Sequence, residues 1–153
     1  MTAARFFARY EELVWHDTIL SLCRLTDPPD TGSHKNATVA RLSGLIADAE
    51  LAVKVEDAAN ACVESTAFAR DWRNRRLAHR DLAHALDPEA APLSQATRGL
   101  VEAAMERLAA VLNIVELHYE NATTAFDTVI VSAGAEELMR VLALGQATKE
   151  RKQ

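Results

Sequence analysis

Glycine and proline are scarce in this chain, 5 and 4 of its 153 residues. Tight turns draw heavily on both, so a turn-rich fold of short strands is disfavoured and long helices are expected. Cysteine is scarcer still. Cys23 and Cys62 each stand alone among apolar residues in helical sequence. They form no zinc spacing, and the expectation for both is a reduced thiol in the core. No apolar run approaches the roughly 18 residues a membrane span requires. The N-terminus sets Arg5 and Arg9 in an amphipathic pattern instead of the apolar stretch of a signal peptide, so a cytoplasmic protein with no membrane partner is expected. Positive charge is in deficit, with 17 Lys and Arg against 22 Asp and Glu and a formal net charge of −5. Nonspecific nucleic-acid binding rests on phosphate neutralisation by Lys and Arg. The chain as a whole is therefore not built to coat itself in nucleic acid, and no DNA partner is expected. A local basic patch can still grip one or two phosphates. There is no glycine-rich phosphate loop, which removes P-loop nucleotide hydrolysis. There is no His-Glu-x-x-His spacing, so neither a catalytic metal nor any other cofactor is expected.

Hydrophobic residues make up 49% of the chain and charged residues 25%, close to the globular average. The length suits one domain, residues 1–153, which buries roughly 68–70% of the surface of its unfolded chain and needs no disulfide or metal to fold. Helical spacing of Phe6, Tyr10, Leu13, Leu20 and Cys23 predicts a helix over 3–24. Asp27–Ser33, with Pro28, Pro29 and Gly32, breaks it. A second helix is predicted over 38–50, capped by Asn36 or Thr38, with Val39, Leu42, Leu45 and Ile46 as its apolar stripe. A long third helix is predicted over 51–86, because Leu51, Val55, Ala58, Cys62, Ser65, Ala69, Trp72, Arg76, His79, Ala83 and Leu86 recur in steps of four and three. Asp87-Pro88 ends it. Ser94 is the expected cap of a fourth helix over 95–120. Residues 121–133 are left as loop or irregular helix, since Thr128-Val129-Ile130-Val131 would make an isolated strand. A last helix opens at Gly134 with Leu138, Val141 and Leu142 packed inward, and residues 146–153 should fray. The fold class expected is all-α, an antiparallel bundle of four to five helices.

The one local reversal of sign falls on the third helix, where Arg70, Arg73, Arg75, Arg76 and Arg80 crowd around Asp71. A run of charge is usually a solvated helix face. Here Arg76 and His79 share the seam of Val55, Cys62 and Trp72, where a charge is costly unless it is paired or lies at an interface. Arginine makes forked, charge-assisted bonds to phosphate, and histidine is the side chain that ordinarily trades protons near neutrality.

Trp72-Arg73-Asn74-Arg75-Arg76-Leu77-Ala78-His79-Arg80-Asp81 resembles the signature helix of the HEPN superfamily: an arginine, a polar residue, and a histidine after four to six intervening residues in total. Five residues separate Arg73 from His79 here. Arg-Leu-Ala-His-Arg-Asp, together with Cys23-Arg24-Leu25-Thr26-Asp27 leading to Lys35-Asn36, looks like the abortive-infection AbiU-type branch. The resemblance implies a metal-independent endoribonuclease, a toxin or phage-defence effector, working on RNA as a homodimer with a shared site and open to neutralisation by an antitoxin protein. Carried onto this chain, Arg73, Asn74 and His79 are the catalytic candidates. Arg70, Arg75, Arg76 and Arg80 are the RNA-binding candidates. Some toxin members carry a tyrosine two residues after the histidine, open to modification by a partner nucleotidyltransferase. Asp81 stands there instead, and that route of neutralisation is not expected.

The residue types suit RNA cleavage by the 2′-hydroxyl, which needs a proton acceptor, a proton donor and positive charge for the phosphorane. The geometry of a regular helix does not: six residues turn through about 600°, leaving Arg73 and His79 about 240° apart around the axis. A kink, long side-chain reach or a second protomer has to bring them together. The alternative is a non-catalytic helical module that binds RNA, nucleotide or a partner protein. A third possibility is purely structural, with Arg73 and His79 tying helices together.

Overall fold

Helices organise the chain, as its scarcity of glycine and proline predicts. The computed structural model describes residues 2–128 and 134–150. Helix α1 runs Thr2–Thr26, α2 Ala49–Ser65, α3 Ala67–Trp72, α4 Leu82–Leu86, α5 Arg98–Glu120 and α6 Ala135–Glu150. Between α1 and α2, β1 (Asp30–Thr31) and β2 (His34–Lys35) pair antiparallel, Asp30 opposite Lys35 and Thr31 opposite His34. Gly32 turns the ribbon at φ +59°, a conformation glycine adopts without strain. Apart from this ribbon the described residues contain no strand, and the fold is all-α. Among them no helix is long and apolar enough to cross a membrane.

Helix α5 is the wall shared by two buried clusters. Near its start, Val101 and Ala104 meet Ile19, Leu22 and Cys23 of α1 and Phe68 and Ala69 of α3. Further along, Val111 meets Leu51, Val55, Ala59 and Cys62 of α2, with Val39 beside them. Full burial of such a Leu, Ile or Phe is worth about 1.5–3 kcal/mol, so α5 ties both ends of the motif-bearing stretch to one core. The two cysteines are buried free thiols, one in each cluster, and burial pushes both thiols up from their ordinary pKa.

The predicted helix over 38–50 is not formed. Two 3-10 turns, Val39–Arg41 and Ser43–Leu45, occupy it, and the point where that helix should end is where α2 begins. Asp48 caps α2, its side chain accepting from the Leu51 amide at 2.9 Å, which satisfies one of the free amides at the helix start. Ser43-Gly44 weakens any helix through the middle of the segment, and Asn36 and Arg41 bind elsewhere. Asn36 Nδ2 donates to the Pro28 carbonyl (2.9 Å) and to Thr31 (2.8 Å). Arg41 donates to the Asn36 carbonyl at 2.9 Å, to Asp30 at 2.9 Å and to the Pro29 carbonyl.

The predicted helix over 51–86 is broken twice. The first break is at Thr66, which leaves helical geometry at φ −100°, ψ 10°. Ser65 and Thr66 hydroxyls donate back to the Cys62 and Val63 carbonyls at 2.7 and 2.9 Å, competing with the backbone ladder. Thr66 also meets Thr26 of α1, hydroxyl to hydroxyl, at 2.9 Å. The second break follows Trp72. The cap of α5 is Thr97, accepting from Leu100 at 3.2 Å, in place of the predicted Ser94. Asn121 ends α5 in the left-handed region at φ 52°.

The last helix differs in two respects. It continues through Glu150, beyond the expected onset of fraying at 146. Residues 151–153 lie outside the described residues, as do Val129, Ile130 and Val131. Leu138, Val141 and Leu142, expected to pack inward, are 47%, 52% and 46% exposed. No described element covers them.

Candidate functional site

The apolar seam of the motif stretch holds as far as Trp72. Leu51, Val55, Cys62 and Ala69 are buried and Trp72 is half-buried, but Arg76 and His79 are exposed. The cost foreseen for charges on a packing seam is therefore not incurred. The reason is a widened turn: residues Arg73–Leu77 form a π-helix, with the Ala78 amide donating to the Arg73 carbonyl five residues back at 2.8 Å. Helical geometry ends at Leu77, and α4 restarts it at Leu82, capped by Asp81, which accepts from the His84 amide at 2.9 Å. Each residue of a π turn rotates the chain by less than an α-helical residue. A regular wheel accordingly misplaces everything beyond Arg73.

Two of the four predicted RNA-binding arginines point into the protein. Arg70 donates through one terminal nitrogen to the Thr26 and Thr66 hydroxyls at 3.2 and 3.1 Å, and through the other to the Val63 carbonyl. It closes the break between α2 and α3 against α1. Arg75 donates to the Pro92 and Ala91 carbonyls at 2.9 and 3.0 Å and stands 3.5 Å from Asp71 and 3.6 Å from Asp81. Asp71 also accepts from the Ser94 amide at 2.7 Å, while Trp72 Nε1 donates to the Ser94 carbonyl at 2.8 Å. Burial pushes the Asp71 carboxyl up. The Ser94 amide and hydroxyl and the Arg75 guanidinium outweigh it and hold the group below the usual carboxylate range. His84 completes this clasp with a ring nitrogen 3.0 Å from the Ala91 carbonyl. Such donor sets are already satisfied by protein.

The other two face outward. Arg76 lies over the Trp72 ring, 5.2 Å from its centroid, and makes no ion pair among the described residues. Arg80 is exposed and, among the described residues, has neither hydrogen-bond nor ion-pair partner. His79 between them is likewise exposed and unbonded. Asn74 is exposed and accepts from Arg73 Nε at 3.1 Å. Arg73 itself is held, with one terminal nitrogen 2.6 Å from both carboxylate oxygens of Asp27; the two side chains are 27% and 23% exposed. No hydrogen bond joins Arg73 to His79 among the described residues. Among those residues, too, no three His, Cys, Asp or Glu side chains converge as a metal-binding group.

Sequence reasoning missed Thr26 and Asp27 as partners. They belong to the Cys23–Asp27 segment that resembles the AbiU branch, and the structure sets that segment against Arg70 and Arg73. Asp71 was visible as the lone acid inside the basic cluster, a signal of pairing.

The family model described as AbiU2, of the HEPN group, matches residues 2–138. The chain belongs to the HEPN AbiU2 family. That match covers both the Thr26–Asp27 segment and the whole motif stretch, and it supports a HEPN-type, abortive-infection character for the chain. No curated protein and no solved structure matches the chain.

Proposed function

We propose that the chain is an endoribonuclease of the HEPN type, acting in abortive infection with His79 as its proton-transfer group. The observation that carries this is the exposed His79, flanked in the chain by Arg76 and Arg80: among the described residues the histidine is unbonded and neither arginine is paired with a carboxylate. In the reaction the ribose 2′-hydroxyl gives up its proton as its oxygen bonds to phosphorus. The bond from phosphorus to the 5′-oxygen breaks, and that oxygen takes a proton. The products are a 2′,3′-cyclic phosphate and a free 5′-hydroxyl. His79 serves one of the two proton transfers, a contribution of roughly 10²–10⁴-fold. A second copy of the chain, related by a two-fold axis, would supply the other from its own histidine. Arg76 and Arg80 hold neighbouring phosphates and fix position without reading sequence.

The observation favouring the second reading, a non-catalytic module binding RNA, nucleotide or a partner protein, concerns Arg73. Its guanidinium is paired with Asp27 and partly covered, so its charge is already partly spent within the fold. On the nuclease reading it stabilises the phosphorane through the donors that Asp27 leaves open.

The experiment is single-stranded RNA incubated with pure protein in EDTA, beside His79→Ala. The expected result is cleavage by the wild type to 2′,3′-cyclic phosphate ends and a loss of at least ~100-fold in the variant, with an unchanged melting temperature because His79 touches nothing in the core. Equal cleavage by both removes His79 from the mechanism. RNA binding with no cleavage by either selects the second reading.

A further inference from the structure

Asp27 lies where the backbone has little freedom. Thr26, just before it, is buried at the end of α1, meets Thr66 hydroxyl to hydroxyl at 2.9 Å and accepts from Arg70 at 3.2 Å. Pro28, just after it, fixes its own φ and narrows the choices of the residue in front. The Pro28 carbonyl accepts in turn from Asn36 Nδ2 at 2.9 Å. A carboxylate mounted between these two anchors has a defined place in the fold.

The guanidinium that meets it is held differently from its neighbours. Arg70 and Arg75 both engage the two terminal nitrogens, Arg70 on the Thr26 and Thr66 hydroxyls and the Val63 carbonyl, Arg75 on the Pro92 and Ala91 carbonyls. Arg73 engages one. Its Nη1 stands 2.6 Å from both oxygens of Asp27, and its Nε donates to Asn74 Oδ1 at 3.1 Å. Two such contacts from different directions fix the place and the turn of the planar group. Arginine offers five N–H donors, and a forked bond to an anion draws on two of its nitrogens. Nη2 belongs to both forked edges, and among the described residues it has no partner. Asp27 grips Arg73 at one end and leaves two donors unspent, on a side chain that is only partly covered.

We infer that Asp27 is a positioning residue for RNA cleavage: its carboxylate holds the Arg73 guanidinium so that Nη2 stands ready for a non-bridging oxygen of the phosphate under attack. The inference rests on the nuclease reading. Negative charge grows on those oxygens as the 2′-oxygen bonds to phosphorus. A donor fixed beforehand stabilises it without reorganising at the moment of reaction. Asp27 also offsets part of the charge on Arg73. Its removal therefore pulls two ways, loosening the guanidinium and freeing its charge, and the sign of the change in rate tells which role it has.

The test is a double-mutant cycle in full-length protein: wild type, Asp27→Asn, Arg73→Ala and the double variant. Each is given single-stranded RNA in EDTA, at a temperature where circular dichroism shows it fully folded. Arg73→Ala should lower kcat by roughly 10²–10³-fold. Asp27→Asn should lower it by about 10–100-fold and leave KM unchanged, because the interaction is made in the transition state. In the Arg73→Ala background the Asp27 substitution should change the single-turnover rate by less than about two-fold. A residue that merely stabilises the fold would move neither kcat nor the cycle under these conditions. Should Asp27→Asn fail to fold, Asp27→Glu carries the same measurement, since the longer side chain keeps the charge and moves the guanidinium. Wild-type cleavage matched by Asp27→Asn overturns the inference and leaves the nuclease reading standing. Faster cleavage by Asp27→Asn also overturns it, and makes Asp27 a brake on Arg73. An equal loss in both backgrounds overturns it too, since Asp27 then acts through another group. No cleavage by the wild type removes the nuclease reading and this inference together.

Discussion

The two halves of the motif stretch use arginine in opposite ways. From Leu51 to Trp72 the chain is anchored: one face is buried, and Arg70 reaches back to join α1, α2 and α3 through the Thr26–Thr66 hydroxyl pair. From Arg76 to Arg80 it is released: the π turn ends at Leu77, and Arg76, His79 and Arg80 face water, paired with no acid among the described residues. Arg73 stands at the boundary and takes part in both, fixed by Asp27 yet next to the open group. An arginine-rich sequence is therefore no map of a phosphate-binding surface. What separates a scaffold arginine from an available one is whether carbonyls, hydroxyls and carboxylates have already filled its donors.

That contrast can be broken by substitution. Arg70→Ala should have the largest effect on stability, about 3 kcal/mol, since it strips partners from a buried hydroxyl pair and from the Val63 carbonyl. Thermal melting should fall by about 6–12 °C, while RNA affinity of the folded fraction stays put. A melting temperature within a degree of wild type would end Arg70's role as scaffold. Asp27→Asn comes next, at about 1–2 kcal/mol, less because the pair is roughly a quarter exposed and partly screened. Urea titration reads it directly, and a gain in stability would mean the pair costs more to desolvate than it returns.

Asp71→Asn should cost about 1 kcal/mol at neutral pH. Its folded carboxyl is held below the usual range, so its stabilisation is present above the unfolded pKa near 3.9 and is lost as pH falls through the lower folded value. The stability difference between wild type and variant should thus be constant from pH 7 to about 5 and shrink below about 4. A difference that grows with acid would reverse the assignment. Arg76→Gln/Arg80→Gln should change stability least, by under ~0.5 kcal/mol. The same pair should reduce the salt dependence of single-stranded RNA binding by about 1.4 units of slope. An unchanged slope would place the RNA elsewhere.

The all-α class was legible because it rests on periodicity and on scarce breakers, both summed over many residues. The helix breaks were not, because they depend on tertiary partners. Ser65 and Thr66 are tolerable inside a helix until Thr26 and Arg70 stabilise the bent form. The 38–50 segment has an apolar stripe, but Asn36 and Arg41 are drawn to the hairpin and Asp48 offers the better start. At the candidate site the residue types were legible from the Arg73–His79 spacing, whereas the division of the arginines into held and open was not. Arg70 and Arg75 bond to groups at Thr26, Ala91 and Pro92 that no local pattern connects to them.

The widened turn over Arg73–Leu77 has a consequence for the signature itself. A π turn is a helix that has absorbed one residue more than its ladder can bond in the ordinary way. It is slack in the chain, taken up locally while the flanking segments keep their own register. Upstream, Trp72 is seated by Ser94; downstream, Asp81 fixes the start of α4. Between two such anchors a residue can be gained or lost by tightening or loosening one turn, with the arginine at its entry fixed by Asp27 and the histidine beyond its exit carried on the segment that Asp81 closes. A spacing that varies in sequence can in this way describe one arrangement in space.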